Sequence, residues 1–192
     1  FVIKSGCRDC IPFTQVKWGI WIWILAAISG LIFHGKQCQL ADYYRNIHLF
    51  FIKGKSGSEL DNFVKLREEL KTLSWKKDGM WMVFLYFYGN YTHSQEKMTP
   101  AFQSLRKRLW QVYGDNPVPA ELAETFRKGS LPLMKYANIL TFNTRAIVLY
   151  IVLLIGQPWI YFVFEIVVMN ILFLYMRYKH EKLCKTVEAS LS

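Results

Sequence analysis

The chain has 192 residues, a size that suits one domain or one bundle of membrane helices; 53% of them are hydrophobic and 17% aromatic. The apolar residues gather into long stretches, which argues against an ordinary soluble domain. The net charge of +10 invites a nucleic-acid reading, but the basic residues flank the apolar stretches. That is the pattern of the positive-inside rule and of attraction to anionic lipid and phosphate, so membrane lipids, and no nucleic acid, are the expected partners.

Residues 1–16 read as an external loop containing Gly6, Pro12 and a C-x-x-C formed by Cys7 and Cys10. One such pair without a second is weak evidence for zinc; a small loop disulfide or two thiols suit it equally. The chain opens on Phe1 with no signal-peptide pattern, which suggests a fragment or a processed product. Residues 17–52 read as a transmembrane helix that extends into the cytoplasm. Trp18–Phe33 is almost wholly apolar, is bracketed by Lys17 and Lys36, and opens on Trp18, Trp21 and Trp23 in the manner of an interfacial belt. Gly54, Ser56 and Gly57 then break it.

Residues 53–132 form a polar and amphipathic helical insertion, cytoplasmic or interfacial. Ser58-Glu59-Leu60-Asp61 suits a capping box, after which Leu60, Phe63, Val64, Leu70 and Leu73 share roughly one face. The apolar run inside Asp78–Tyr88 is too short to span, and either the interface or the underside of the bundle would accept it. Thr99-Pro100 predicts an N-cap and first helical residue, followed by a basic amphipathic helix with Arg106, Lys107 and Arg108. A short helix is expected over Ala120–Lys128, closed by Gly129-Ser130-Leu131-Pro132.

Residues 133–180 predict a transmembrane hairpin, and residues 181–192 a cytoplasmic tail. The apolar stretch Ala146–Met176 would run on the order of 45 Å as one straight helix, against a hydrocarbon core of about 30 Å. Gly156-Gln157-Pro158 lets the chain turn, because glycine tolerates left-handed backbone and proline lacks an N–H. Residues 36–135 hold sixteen Lys and Arg and residues 177–192 hold four, while the hairpin turn holds none. The insertion and the C-terminus are therefore expected on the cytoplasmic side, with three spans. The fold class expected is all-α, a polytopic membrane helical bundle.

Several polar residues stand out within the spans. Counting from the turn puts Arg145 and Asn170 about 18–20 Å down their arms, with Asn143 near that level, Asn138 closer to the cytoplasm and Glu165 only about 12 Å down. A membrane-embedded arginine is costly unless paired or hydrated. One reading has Arg145 line a cytoplasm-facing cavity and hold an anion, most naturally a phosphate, whose oxygens its planar fork binds in pairs. The other is a helix-to-helix lock of Arg145 with Glu165 or with Asn170. Arg45, Lys53 and Lys55, beside Gly54 and Gly57, could approach a phosphate headgroup or could simply set topology. His34, Cys38 and His48 carry too few ligands for a metal site. No P-loop, nucleophile elbow, HExxH or dinucleotide fingerprint is present.

The chain resembles the C-terminal part of bacterial CDP-alcohol phosphatidyltransferases. The residues that carry the resemblance are Ala41–Phe51 (ADYYRNIHLFF), Lys53-Gly54-Lys55, Gly89-Asn90-Tyr91-Thr92, Arg127–Lys135 (RKGSLPLMK) and Leu140–Arg145 (LTFNTR). The resemblance implies a bacterial inner-membrane enzyme of phospholipid synthesis, of which this chain supplies the last three of six helices, with a possible homodimer. It implies transfer of a phosphoalcohol group from a CDP-alcohol to a hydroxyl acceptor with release of CMP. It also implies Mg²⁺ or Mn²⁺ held by the aspartates of the family motif D-x2-D-G-x2-A-R-x8-G-x3-D-x3-D. No position of this chain matches that motif, so no catalytic residue is expected in it and the chain by itself is expected to be inactive. A non-enzymatic membrane protein, such as a small transporter or assembly subunit, is the alternative; it would use Arg145, Glu165 and Asn170 as a polar seam.

Overall fold

The computed structural model describes residues 10, 11, 16–54 and 60–191. Among the described residues the fold is all-α, apart from one isolated bridge between Cys10 and Lys17. Six helices follow in order: α1 (Gly19–Lys53), α2 (Phe63–Thr72), α3 (Trp75–Met98), α4 (Pro100–Tyr113), α5 (Ala120–Ile155) and α6 (Trp159–Ala189). Three of them, α1, α5 and α6, are long and apolar enough to cross a membrane, and the protein is an integral membrane protein by that measure.

The chain divides into two compact units. One contains the described residues up to Cys38 together with Ile139–Phe173; the other contains Gln39–Asn138 and the chain from Leu174 onward. The most apolar stretches of all three long helices fall in the first, which is called the membrane unit below. The domain boundaries expected at 53 and 133 follow the chain, whereas the units cut across α1, α5 and α6.

Within the membrane unit, α5 and α6 are joined at Gly156, whose φ of +74° is left-handed. The Gly156 N–H donates to the Leu153 carbonyl at 3.0 Å and the Gln157 N–H to the Val152 carbonyl at 3.2 Å. This pairing closes the helix end and consumes carbonyls that lipid could not satisfy. Next to the turn, Trp159 stacks on Trp18 with ring centroids 6.2 Å apart.

The second unit has a conventional aromatic core. Tyr44 stacks on His180 and Phe51 on Phe126, each pair at 3.8 Å, while Phe102 meets Tyr43 edge-on at 5.9 Å. All six rings are buried. Two polar pairs cross between helices: His48 and Ser130 share a hydrogen bond of 2.7 Å, and Gln103 donates to the Tyr43 hydroxyl at 2.9 Å.

Four local expectations are corrected. The first arm of α5 does not stop at Lys128; it runs through Gly129 and Pro132 to Ile139. Gly129 is a close-packing position instead of a breaker, since a Cβ there would come within 2.4 Å of Leu183 Cδ1. The helix after residue 54 is capped by Asn62, whose side chain accepts from the Val64 and Lys65 N–H groups, and not by the box at 58–61. Ser58 and Glu59 lie outside the described residues. On α2 the buried residue is Leu66, while Val64 is 58% exposed. Thr99 stands at the N-cap of α4 as expected, but its hydroxyl donates back to the Gln95 carbonyl at 2.9 Å. The Glu181 carboxylate takes over the capping, accepting from the Ala101 N–H at 2.8 Å, and Arg177 donates to the Met98 carbonyl at the end of α3 at 2.9 Å. Each charge sits on the helix end of opposite partial charge.

Candidate functional site

The membrane unit buries one dense polar cluster, and three irregularities of its helices build it. The first is a π segment in α1, Ile28–His34, and the second a π segment in α6, Phe164–Val168; the two pack on each other. Such widened turns rotate the side chains that follow them, and they recur at functional positions. The third is a break in α5 at Leu140–Thr141, where Thr141 is extended (φ −87°, ψ −177°) before the helix resumes at Phe142.

Arg145 lies one turn past that break and is only 2% exposed. Its Nε donates to Glu165 Oε1 at 2.8 Å and its Nη2 to Gln37 Oε1 at 2.6 Å. Its Nη1 donates to the Leu140 carbonyl and, at 3.3 Å, to the Thr141 carbonyl. The Leu140 carbonyl lies where the first arm ends, and Arg145 gives it a donor there. The guanidinium therefore sits on the negative end of the first arm of α5 while reaching a carboxylate on α6 and an amide on α1.

Glu165, 1% exposed, is held from three directions. Besides Arg145, its Oε1 faces His34 Nδ1 at 2.9 Å, and its backbone carbonyl accepts from Gln37 Nε2 at 3.3 Å. Cys38 completes the edge, 3.7 Å from His34 Nε2 and donating to the Leu140 carbonyl at 3.6 Å. His34 and Glu165 each come from a π segment, so the irregular turns aim the two side chains that meet. A buried charge this deep is tolerable only with such a partner set, because an unpaired one costs several kcal/mol.

The other expected site residues are placed elsewhere. Asn170 donates to the Ile166 carbonyl at 2.7 Å, a bond within its own helix, and Asn143 is exposed. Of the two locks considered for Arg145, the geometry contains the one with Glu165. In the second unit, exposed Arg45 donates to Asn138 Oδ1 at 3.2 Å. Lys53 is exposed at the end of α1 and lines a cavity of about 690 Å³ with Gly54, Asn116, Glu124 and Arg127. Lys55 and Cys7 lie outside the described residues. Cys10 is disulfide-bonded, whereas Cys38 and Cys184 are free thiols.

Sequence reasoning missed Gln37, which bridges Arg145 and the Glu165 backbone. A signal was present: Gln37 is three residues from His34, so both occupy one helical face at the end of the apolar stretch. The divalent metal implied by the family resemblance finds no fit here: among the described residues no group of three or more His, Cys, Asp or Glu side chains could hold an ion. No family model matches the chain, and no curated protein and no solved structure is significantly similar to it.

Proposed function

We propose that this chain is the helical, non-catalytic part of an integral membrane phosphotransferase. In this reading the whole enzyme moves a phosphoalcohol group from a CDP-alcohol to a hydroxyl acceptor and releases CMP, in phospholipid synthesis at a bacterial inner membrane. The metal-binding aspartates belong to a segment other than this one, and the C-terminus faces the cytoplasm. One observation carries the reading: most of the segments that prompt the resemblance contribute residues to the packed interior as well as to the surface. Ala41, Tyr43, Tyr44, Ile47, His48 and Phe51 are buried, as are Ser130, Leu133, Leu140 and Arg145. A sequence likeness that includes interior positions on several helices supports a shared helix packing, and it leaves the chemistry to residues elsewhere. Arg145, with each guanidinium nitrogen already donating within the protein, acts here as the lock of the closing helices. The exposed cations Lys53 and Arg45, together with Lys55, are the remaining candidates for contact with a phosphate.

The test is genetic and then enzymatic. Reading the native locus upstream of the Phe1 codon should reveal an in-frame aspartate motif, and the joined protein should release CMP from CDP-diacylglycerol with Mg²⁺ or Mn²⁺. An in-frame stop close upstream with no motif, or strong CMP release by the 192-residue chain alone, would overturn the proposal.

The same lock favours a second reading, that of a non-enzymatic membrane subunit whose polar cluster only fixes helix register. Wild-type CMP release by the joined protein excludes it.

A further inference from the structure

α2 and α3 pack against each other as a helical hairpin in the second unit. Arg67 of α2 donates to Asn90 Oδ1 at 2.8 Å and lies 5.1 Å from the Tyr86 ring centre, and Tyr88 donates to Asp61 at 2.5 Å. Leu66 on α2 and Leu85, Gly89 and Thr92 on α3 are buried. α2 carries Lys65, Glu68, Glu69 and Lys71 exposed, as a solvated surface helix should.

α3 does the opposite over residues 80–87. Met80 is 85% exposed, Val83 37%, Phe84 53% and Phe87 67%. The spacing i, i+3, i+4, i+7 places them on one stripe of the helix, where a water-facing helix would be polar. At the start of α3, exposed Trp75 and Trp81 flank Lys76 and Lys77, which are exposed as well. A continuous apolar stripe of this kind marks an interaction surface.

We infer that this stripe of α3 is seated in the interfacial layer of the bilayer, with Lys76 and Lys77 on anionic headgroups. Two features select lipid as the occupant. Tryptophans beside lysines next to a Phe- and Met-rich stripe are the composition of an interfacial helix, with rings at headgroup level and ammonium groups reaching outward to phosphate. The same chain carries three helices long and apolar enough to cross a membrane, so lipid is a partner the chain already requires. The inference is independent of the transferase reading.

The test uses the full chain in nanodiscs of phosphatidylcholine with a minority of phosphatidylglycerol, loaded at one chain per disc. Cysteines introduced as F84C, F87C and K71C are alkylated with a membrane-impermeant maleimide, and each peptide is followed by mass. The rates at positions 84 and 87 should fall about tenfold or more below that at position 71. In the unmodified chain, hydroxyl-radical oxidation of Met80 should be slowed by the same bilayer relative to detergent, which serves as a check should a cysteine variant misfold. Equal rates at all three positions would overturn the inference. So would protection that arises only when two chains share a disc, because the occupant would then be a second copy.

Discussion

Replacing Arg145 by Ala tests the central cluster most directly. The substitution removes the pair with Glu165, the bond to Gln37 and the donors to the Leu140 and Thr141 carbonyls. Breaking a buried ion pair from one side costs about 3–5 kcal/mol, because the surviving charge is left without compensation. The lower bound alone corresponds to an unfolding constant raised more than about a hundredfold. Glu165→Gln keeps an oxygen for Arg145 Nε and loses the charge, and should cost less, about 1–3 kcal/mol. Arg145→Lys should behave almost as badly as the alanine variant, since one ammonium nitrogen cannot replace three donors directed at different acceptors. In R145A/E165A the two losses should be less than additive by about 1–3 kcal/mol. The assay is reversible unfolding of the chain from mild detergent into a denaturing one, followed by far-UV circular dichroism. If R145A cost under about 1 kcal/mol, or if the double-mutant coupling vanished, the pair would be worth no more than an exposed one and the lock would be refuted.

Gly129→Ala should stabilise the chain by about 0.5–1 kcal/mol through alanine's better helix propensity, because the Leu183 Cδ1 that its Cβ meets is the free end of a half-exposed side chain and can turn away; a lower melting temperature of the variant would show that Leu183 cannot yield. Glu181→Ala removes the acceptor at the start of α4 and should cost about 1 kcal/mol, with faster amide exchange confined to the first turn after Pro100; unchanged exchange there would show that the cap does not matter. Asn62→Ala leaves the Val64 and Lys65 N–H groups without their side-chain acceptor and should fray α2 at a cost of about 1 kcal/mol, while Asn62→Asp should keep the cap; exchange at Val64 and Lys65 distinguishes the two.

The spans and the hairpin turn were legible because they rest on composition and on two backbone-specific residues. Long apolar stretches have few alternatives, and Gly156 before Gln157-Pro158 can close a helix where other residues would strain. The continuity of α5 was not legible. Gly129 and Pro132 are breakers by propensity, yet the turn around them is held by packing on Leu183 and by the His48–Ser130 hydrogen bond. Tertiary contacts of this kind override weak local preferences. The true break at Leu140–Thr141 has no breaker residue. No local propensity displays it. The depth count places Arg145 and Glu165 at different levels of their arms. The long Arg145 side chain spans that difference and reaches Glu165 Oε1 at 2.8 Å.

The break, the two π segments and the buried arginine are best understood as one device. An interruption of α5 inside an apolar unit exposes carbonyls that lipid cannot satisfy. Arg145 satisfies them, but a guanidinium brought there needs a carboxylate. Glu165 supplies it and needs orientation in turn, which the π segment of α6 provides and the His34 and Gln37 contacts fix. Each irregularity would be costly alone, and together they satisfy the Leu140 carbonyl, the guanidinium and one carboxylate oxygen of Glu165. Apolar helices in lipid have little hydrophobic reason to prefer one register over another, because the tails around them are as apolar as their own side chains. Arg145, bonded at once to residues of α1, α5 and α6, supplies that preference, since sliding α5 or α6 by a turn would part the charges and sliding α1 would break the bond to Gln37. The cluster is therefore chiefly a device for register, and a site built on these helices would inherit its geometry from it.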